Sequence, residues 1–231
     1  MNIAIIPARL NSKRIPKKNI KKFCGKPMIY WSIYAAKKSN LFEKIIVSTD
    51  SDEIAKIAQK YGAIVPFLRP KKLSGDFIGT TPVVSHAANW AKSQGWDIKY
   101  VCCIYPTAAL INVIDLKKAY KKISSNQFSY VIAASRYSAP IFRSFKVLGS
   151  KGLKMFFPDY YLKRSQDIEV AYFDAGQFYW GKLDSWIKQE KGYSDKSTIQ
   201  ELPSWRVQDL DTNEDWKRAE FIFKLLRKNE K

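Results

Sequence analysis

The apolar run Ile3-Ala4-Ile5-Ile6 stops at Pro7 and gives way at once to a dense basic loop, and this junction limits the fold more than any other stretch. Short apolar runs bounded by turn signals are the mark of strands buried inside a parallel sheet. The next segments extend the pattern. Phe23-Cys24-Gly25-Lys26-Pro27 is a turn, and Pro27 suits the first position of a helix. Met28, Ile29, Trp31, Ile33 and Ala35-Ala36 then form a helical stripe to about Asn40. Residues 44–50 are a second strand. Ser51 or Asp50 caps a helix over 52–61, with Glu53 in its first turn and Gly62 at its end. Residues 63–68 are a short third strand, which Pro66 places at an exposed or terminal position. Strand, helix, strand, helix, strand in so short a span predicts an α/β fold, a mostly parallel twisted sheet with helices on both faces.

In such sheets ligands sit beyond the carboxyl ends of the strands. The loop that follows the first strand carries Arg9, Lys13, Arg14, Lys17 and Lys18. Placed there, it can cradle a nucleoside triphosphate. By its charge alone, however, it reads first as a solvated loop in a lysine-rich chain.

Further along, residues 69–76 are a loop, and Thr81 and Pro82 are expected as N-cap and first residue of a helix to about Ser93. His86, the only histidine, lies in that helix and is read as structural. Residues 100–105 and 130–135 are strands on either side of a helix over 113–123. The segment 138–170 is irregular, with Pro140, Gly149, Gly152 and Pro158 among apolar residues such as Phe142, Phe145 and Phe156. Its apolar side chains suit a subunit interface or a satellite subdomain. Residues 171–180 are strand-like and 183–188 helical. A last strand is expected over 205–211, and Asn213 caps a terminal helix with Trp216, Ala219, Phe221-Ile222 and Leu225-Leu226 on its apolar side. No repeat or long linker divides the chain, so residues 1–231 are expected to form a single domain.

The formal charge of +19 favours polyanionic partners. The basic residues are scattered over polar helix positions, however, and no zinc finger, RNP motif or basic-zipper pattern is present, so a nucleic-acid partner is not expected. The three cysteines suit a reducing compartment, and with one histidine they make no zinc site. No apolar run approaches the roughly 18 residues of a membrane span, and the first apolar run lacks the preceding basic region of a signal peptide. A cytoplasmic protein without a membrane partner is expected.

Asp209 and Asp211 stand two apart on the expected last strand, where such residues project to one face. A pair of carboxylate ligands suits Mg²⁺, which also takes water and phosphate oxygens. Alone, the pair reads first as ordinary carboxylates ahead of a helix, with Asp211 near its positive end. Together, a basic loop for a triphosphate and a carboxylate pair for a metal fit nucleotidyl transfer, which works by positioning and charge stabilisation and needs no Ser or Cys nucleophile.

The order of residues adds a resemblance. Ile6-Pro7-Ala8-Arg9, Ser12-Lys13-Arg14-Ile15-Pro16 and Lys18-Asn19 are similar to the signature of the CMP-sugar synthetases, the cytidylyltransferases acting on acidic nine-carbon sugars and on Kdo. Ile45-Ile46-Val47-Ser48-Thr49-Asp50, Arg69-Pro70, Leu73-Ser74, Asp76, Pro106-Thr107 and Asp209-Leu210-Asp211-Thr212 match in order, so the likeness covers nearly the whole chain. Cys102-Cys103-Ile104-Tyr105, Arg164-Ser165-Gln166-Asp167 and the run from Asp174 to Gly181 resemble the subgroup acting on pseudaminic acid.

The resemblance implies one Rossmann-like nucleotide-diphospho-sugar transferase domain. It implies a homodimer built through a small dimerisation insertion, residues 138–170. It also implies Mg²⁺-dependent transfer of CMP from CTP to the sugar's anomeric hydroxyl with release of pyrophosphate, serving surface glycan or flagellin glycosylation. By position Ala8, Arg9, Lys13, Lys18, Asn19, Arg69, Ser74 and Asp76 match the CTP side. Tyr105, Asp174, Gln177 and Tyr179 match the sugar side, with Arg164 reaching the sugar of its own or a partner's site. Asp209 and Asp211 match the metal ligands, and Arg9, Lys13 and Asp211 the catalytic groups. Two departures stand out. Leu10-Asn11 replaces a Gly-Gly that allows positive φ near phosphate, and Ala109 stands where relatives often have proline. Enzymes for N-acetylneuraminic, legionaminic acid or Kdo are the neighbouring alternatives. A non-catalytic nucleotide- or nucleic-acid-binding protein is the alternative of a different class.

Overall fold

The computed structural model describes residues 1–228, so the last three residues of the expected domain, 229–231, lie outside the described residues. The strands are β1 (Asn2–Ala8), β2 (Lys22–Phe23), β3 (Lys26–Pro27), β4 (Lys44–Thr49), β5 (Tyr100–Ile104), β6 (Tyr130–Arg136), β7 (Phe145–Val147), β8 (Leu153–Met155), β9 (Tyr172–Lys182) and β10 (Ser197–Glu201). The helices are α1 (Met28–Ser39), α2 (Asp52–Lys60), α3 (Thr80–Ser93), α4 (Val113–Ser124), α5 (Leu183–Ile187) and α6 (Asn213–Lys228). Six strands form the central sheet in the order β10-β6-β9-β5-β1-β4. β1 runs parallel to β4 and β5, and β10 parallel to β6, while β9 is inserted antiparallel between β5 and β6.

The alternation of side chains along β1 explains the layers. Ala4, Ile6 and Ala8 pack with α1, α2 and α4, whereas Ile3 and Ile5 pack with α3 and α5 on the other face. All five are buried, and each isoleucine sealed in this way stabilises the fold by about 1.5–3 kcal/mol. A third cluster joins Ile15, Phe23 and Met28 to Leu210 and to Trp216 and Phe223 of α6, so the end of the chain packs beside the basic loop. Gly181 in β9 is required by its neighbours. A Cβ there would lie 2.5 Å from Trp186 Nε1 and 2.7 Å from the Tyr130 ring.

Several sequence expectations need correction. Residues 63–68 do not form a strand; only the bridges Ile46↔Ile64 and Thr49↔Leu68 occur, because Pro66 between them has no N–H for a ladder. Residues 205–211 are not a strand either. Ser204–Arg206 is a 3-10 turn, and beyond it Asp209 Oδ1 accepts from the Leu210 N–H at 2.8 Å, a local bond that competes with sheet pairing. The place at the sheet edge is taken by β10. α3 begins at Thr80 with Gly79 as its cap, so Pro82 falls third in the helix, still within the first turn, where an N–H has no partner to lose.

The segment 138–170 holds the β7–β8 hairpin and short 3-10 turns, with Phe142 stacked on Tyr160 at 4.9 Å between ring centroids. Val147, Leu153 and Leu162 on it are strongly exposed. Among the described residues no helix is long and apolar enough to cross a membrane.

Candidate active site

A cleft of about 940 Å³ opens beyond the carboxyl ends of β1 and β5. One wall is the basic loop. Asn19 is buried and its Nδ2 donates to the Arg9 carbonyl at 2.8 Å, closing the loop on itself. Leu10 packs against the core, and its N–H donates to Asp50 Oδ1 at 3.0 Å. Neither Leu10 nor Asn11 has positive φ; the left-handed residue of this loop is Lys17, at φ +50°. The loop therefore turns without the glycines that the resemblance leads one to expect.

Arg9 and Lys13 meet across the cleft at one carboxylate. Arg9 Nη1 lies 2.7 Å from Asp76 Oδ1, and Lys13 Nζ lies 2.6 Å from Asp76 Oδ2. The hydrogen bond from Lys13, with the charges of Lys13 and Arg9, holds the Asp76 carboxyl below the usual carboxylate range. Arg14 pairs with Asp211 Oδ2, and Lys18 Nζ is 3.8 Å from Asp211 Oδ1. Burial lowers the Lys18 pKa, and Asp211 and then Asp209 work against that shift. Arg69 is buried at the floor, donating from Nη1 to the Ser48 carbonyl at 3.2 Å and from Nε to Ser74 Oγ at 3.3 Å. Burial lowers its pKa as well.

The opposite wall comes from β9. Opposite β6 the register shifts between Ile132 and Ala134, which pair with Tyr179 and Asp174. At this irregularity Asp174, Gly176 and Gln177 line the cleft, while Ala175 and Phe178 pack into the core. Gly176 makes the bend at φ +58°. Asp174 Oδ2 accepts from Tyr179 OH at 2.6 Å and from Tyr193 OH at 3.1 Å, and Oδ1 accepts from the Gly176 N–H at 2.8 Å. Tyr105 OH and Thr80 Oγ1 are 2.9 Å apart. Burial raises the pKa of Tyr105 and Tyr179, and pushes Tyr193 up to about 12, so all three hydroxyls keep their protons near neutrality.

Of the residues singled out by sequence, Arg9, Lys13, Lys18, Asn19, Arg69, Ser74, Asp76, Tyr105, Asp174, Gln177 and Asp209 all line this cleft. Ala8 and Tyr179 are buried behind its surface. Asp211 sits behind Asp209, turned to Arg14 and Lys18, so the two carboxylates do not share the strand face that their spacing suggests. Arg164 is apart from the cleft of its own chain, paired with Asp167 at 2.7 Å. His86 is also outside it, edge-on to Phe67 at 4.7 Å. Thr80 lies in the Ser74–Thr81 stretch that the resemblance assigns to the CTP side and lines the cleft, whereas Tyr193 was not legible as a neighbour of the site, because it reaches Asp174 from a separate loop.

Among the described residues no group of three or more His, Cys, Asp or Glu side chains is placed to hold a metal ion. The carboxylate pair nonetheless suits a hard cation. Asp211 Oδ1 is buried and accepts no hydrogen bond, while Asp209 is exposed to the cleft. Mg²⁺ needs only one or two protein carboxylates when phosphate and water complete its shell. The arrangement offers cations for a triphosphate, the carboxylate of Asp209 with Asp211 nearby in sequence for a divalent ion, and a polar wall of phenol, amide and carboxylate for a hydroxylated substrate.

Comparison with known proteins agrees with this chemistry. The sequence matches the family model described as Cytidylyltransferase over residues 3–224. It is 42% identical over 224 residues to a pseudaminic acid cytidylyltransferase of Campylobacter jejuni, covering 97% of each chain. It is 38% identical over 209 residues to a Helicobacter pylori protein named as a pseudaminic acid cytidylyltransferase and UDP-2,4-diacetamido-2,4,6-trideoxy-beta-L-altropyranose hydrolase, covering 90% of this chain and 40% of that one. The fold is similar to a solved CMP:2-keto-3-deoxy-manno-octonic acid synthetase complexed with CTP, with a TM-score of 0.70 at 14% identity over 99% of both chains. The chain belongs to the cytidylyltransferase family of CTP-dependent nucleotidyltransferases.

Proposed function

We propose that this enzyme transfers CMP from CTP to the anomeric hydroxyl of pseudaminic acid and releases pyrophosphate. The anomeric oxygen attacks the α-phosphorus, the new C–O–P linkage forms, the bond to the bridging oxygen of pyrophosphate breaks, and the hydroxyl proton passes to solvent. The observation that carries the reading is the convergence, across one cleft, of Arg9, Lys13 and Lys18 with Asp209 and the Asp174–Gln177 wall, with Asp211 beside Lys18. The 42% identity to the Campylobacter jejuni enzyme over nearly the full length favours pseudaminic acid over N-acetylneuraminic acid, legionaminic acid or Kdo.

In this reading Ala8, Asn19, Arg69 and Ser74 shape the CTP side, and Arg9, Lys13 and Lys18 bind its phosphates. Asp76 is a placeholder that leaves Arg9 and Lys13 when the triphosphate arrives. Tyr105, Asp174, Gln177 and Tyr179 face the sugar. Asp209 and Asp211 would hold Mg²⁺ once Arg14 had left Asp211, and the ion would supply charge neutralisation for the departing pyrophosphate. Arg9 and Lys13 stabilise the charge that builds on the phosphates during transfer. The exposed apolar hairpin within 138–170 pairs with a second copy as a homodimer, which brings Arg164 within range of the partner's sugar site. The three free cysteines suit the cytoplasm. The product then serves surface glycan or flagellin glycosylation.

The test is pyrophosphate release across CTP, UTP and ATP with pseudaminic, legionaminic and N-acetylneuraminic acids and Kdo. Release restricted to CTP, divalent ion and pseudaminic acid supports the reading. Release with a different acid reassigns the sugar. No release, with steeply salt-dependent binding of DNA or RNA, supports the non-catalytic alternative.

A further inference from the structure

Gln177 is buried yet lines the cleft, and its two amide atoms are treated unequally. Nε2 donates to the Arg206 carbonyl at 2.8 Å, while Oε1 is buried with no hydrogen-bond partner. A carbonyl partner decides the orientation of the amide, because only the NH₂ end can donate to it. The acceptor end is therefore the one left over. A buried acceptor without a donor is costly, and an apolar side chain of similar size would avoid that cost.

The carbonyl that locks Gln177 is itself held. Arg206 Nη1 lies 2.7 Å from Asp115 Oδ2, both side chains are buried, and the two residues are 91 positions apart. Asp115 is fixed in the first turn of α4, which Asn112 caps by accepting from the Ile114 N–H at 2.8 Å. Arg206 closes the 3-10 turn with an N–H to the Pro203 carbonyl at 2.9 Å. The tie thus runs from a rigid helix, through a buried ion pair, to a backbone carbonyl and then to the amide at the cleft.

Resting on the cytidylyltransferase reading, we infer that Asp115 and Arg206 are positioning residues for sugar recognition: they fix the Gln177 amide so that Oε1 accepts from a hydroxyl or amide N–H of the acidic sugar. Neither residue lines the cleft, so both act through Gln177.

The experiment compares wild type, Gln177→Leu, Arg206→Lys and the double variant. KM is measured separately for pseudaminic acid and CTP, and side-chain amide exchange is followed by NMR, the Gln177 NH₂ signal being identified by its loss in Gln177→Leu. Arg206→Lys is expected to raise the sugar KM about tenfold with CTP KM changed less than about twofold, as loss of one oriented hydrogen bond requires. In the Gln177→Leu background it should add less than about twofold, because residues acting through one another are not additive. The Gln177 NH₂ should exchange about tenfold faster in Arg206→Lys. Asp115→Asn, nearly isosteric, should move the same readouts in the same direction and guards against a folding defect in the arginine variant. Additive sugar effects, equal rises in both KM values, or unchanged NH₂ exchange would overturn the assignment. Because the exchange readout needs no turnover, it judges the tie even if wild type uses none of the acids, an outcome that would count against the proposed reaction instead.

Discussion

Replacing Asp211 by Asn separates a metal-binding carboxylate from one that only closes a surface ion pair. The side chain of Asp211 is 29% exposed, and its partners Arg14 and Lys18 are 66% and 16% exposed. The Arg14 pair is open to solvent and contributes about 0–1 kcal/mol, and towards the less exposed Lys18 the asparagine keeps one oxygen as a hydrogen-bond acceptor. In a chain of this length such a change moves Tm by no more than about 2–4 °C. Asn keeps the shape and one oxygen but removes the charge, so the cost falls on the bound ion and the transition state. Turnover should drop about thirtyfold or more, equivalent to about 2 kcal/mol of barrier. A second consequence has a definite sign. Burial already lowers the Lys18 pKa, and Asp211 is the largest influence opposing it. Without that charge Lys18 loses its proton at lower pH, so the alkaline limb of kcat/KM should move to lower pH. Pyrophosphate release against pH, alongside a thermal melt, reads both effects. Turnover within about twofold of wild type, or a loss of activity that merely follows a collapsed Tm, would refute the metal assignment.

Lys13→Ala should leave Tm within about 1 °C, since its side chain is 82% exposed, and raise the CTP KM about tenfold; unchanged kinetics would return the loop to a solvated role. Gly181→Ala should destabilise the fold by about 1–3 kcal/mol in a denaturant melt, because the new methyl meets Tyr130 and Trp186 at 2.7 and 2.5 Å. If the proposed homodimer forms through the hairpin, wild type should scatter light as a dimer and Val147→Lys with Leu153→Lys, a cross-strand pair 71% and 65% exposed, as a monomer; a dimer in both would place the interface elsewhere, and a monomeric wild type would refute the proposed dimer.

How much of this was readable from the chain depends on how local each feature is. β1, α1, β4 and α2 were legible because each carries its own periodicity and punctuation, from the isoleucines of β1 to Ser51, whose Oγ accepts from the Ile54 N–H as a cap. β10 escaped notice because Ser197-Thr198-Ile199-Gln200-Glu201 has no apolar alternation, and its pairing with β6 is set from outside the segment. The stretch at 205–211 reads as a strand by composition, but the turn after Pro203 and the bond between the Asp209 side chain and the Leu210 N–H decide otherwise. Arg9, Lys18 and Asp174 could be named from their motifs. Tyr193 could not, because its loop has no signal of its own until β9 brings Asp174 to it.

The most direct test of the central claim is ³¹P NMR of the purified protein with CTP, Mg²⁺ and pseudaminic acid. The account predicts a new phosphodiester resonance, from CMP joined to the sugar, growing in step with pyrophosphate and absent when the acid is omitted. Pyrophosphate without the phosphodiester, or consumption of CTP independent of the sugar, would contradict it.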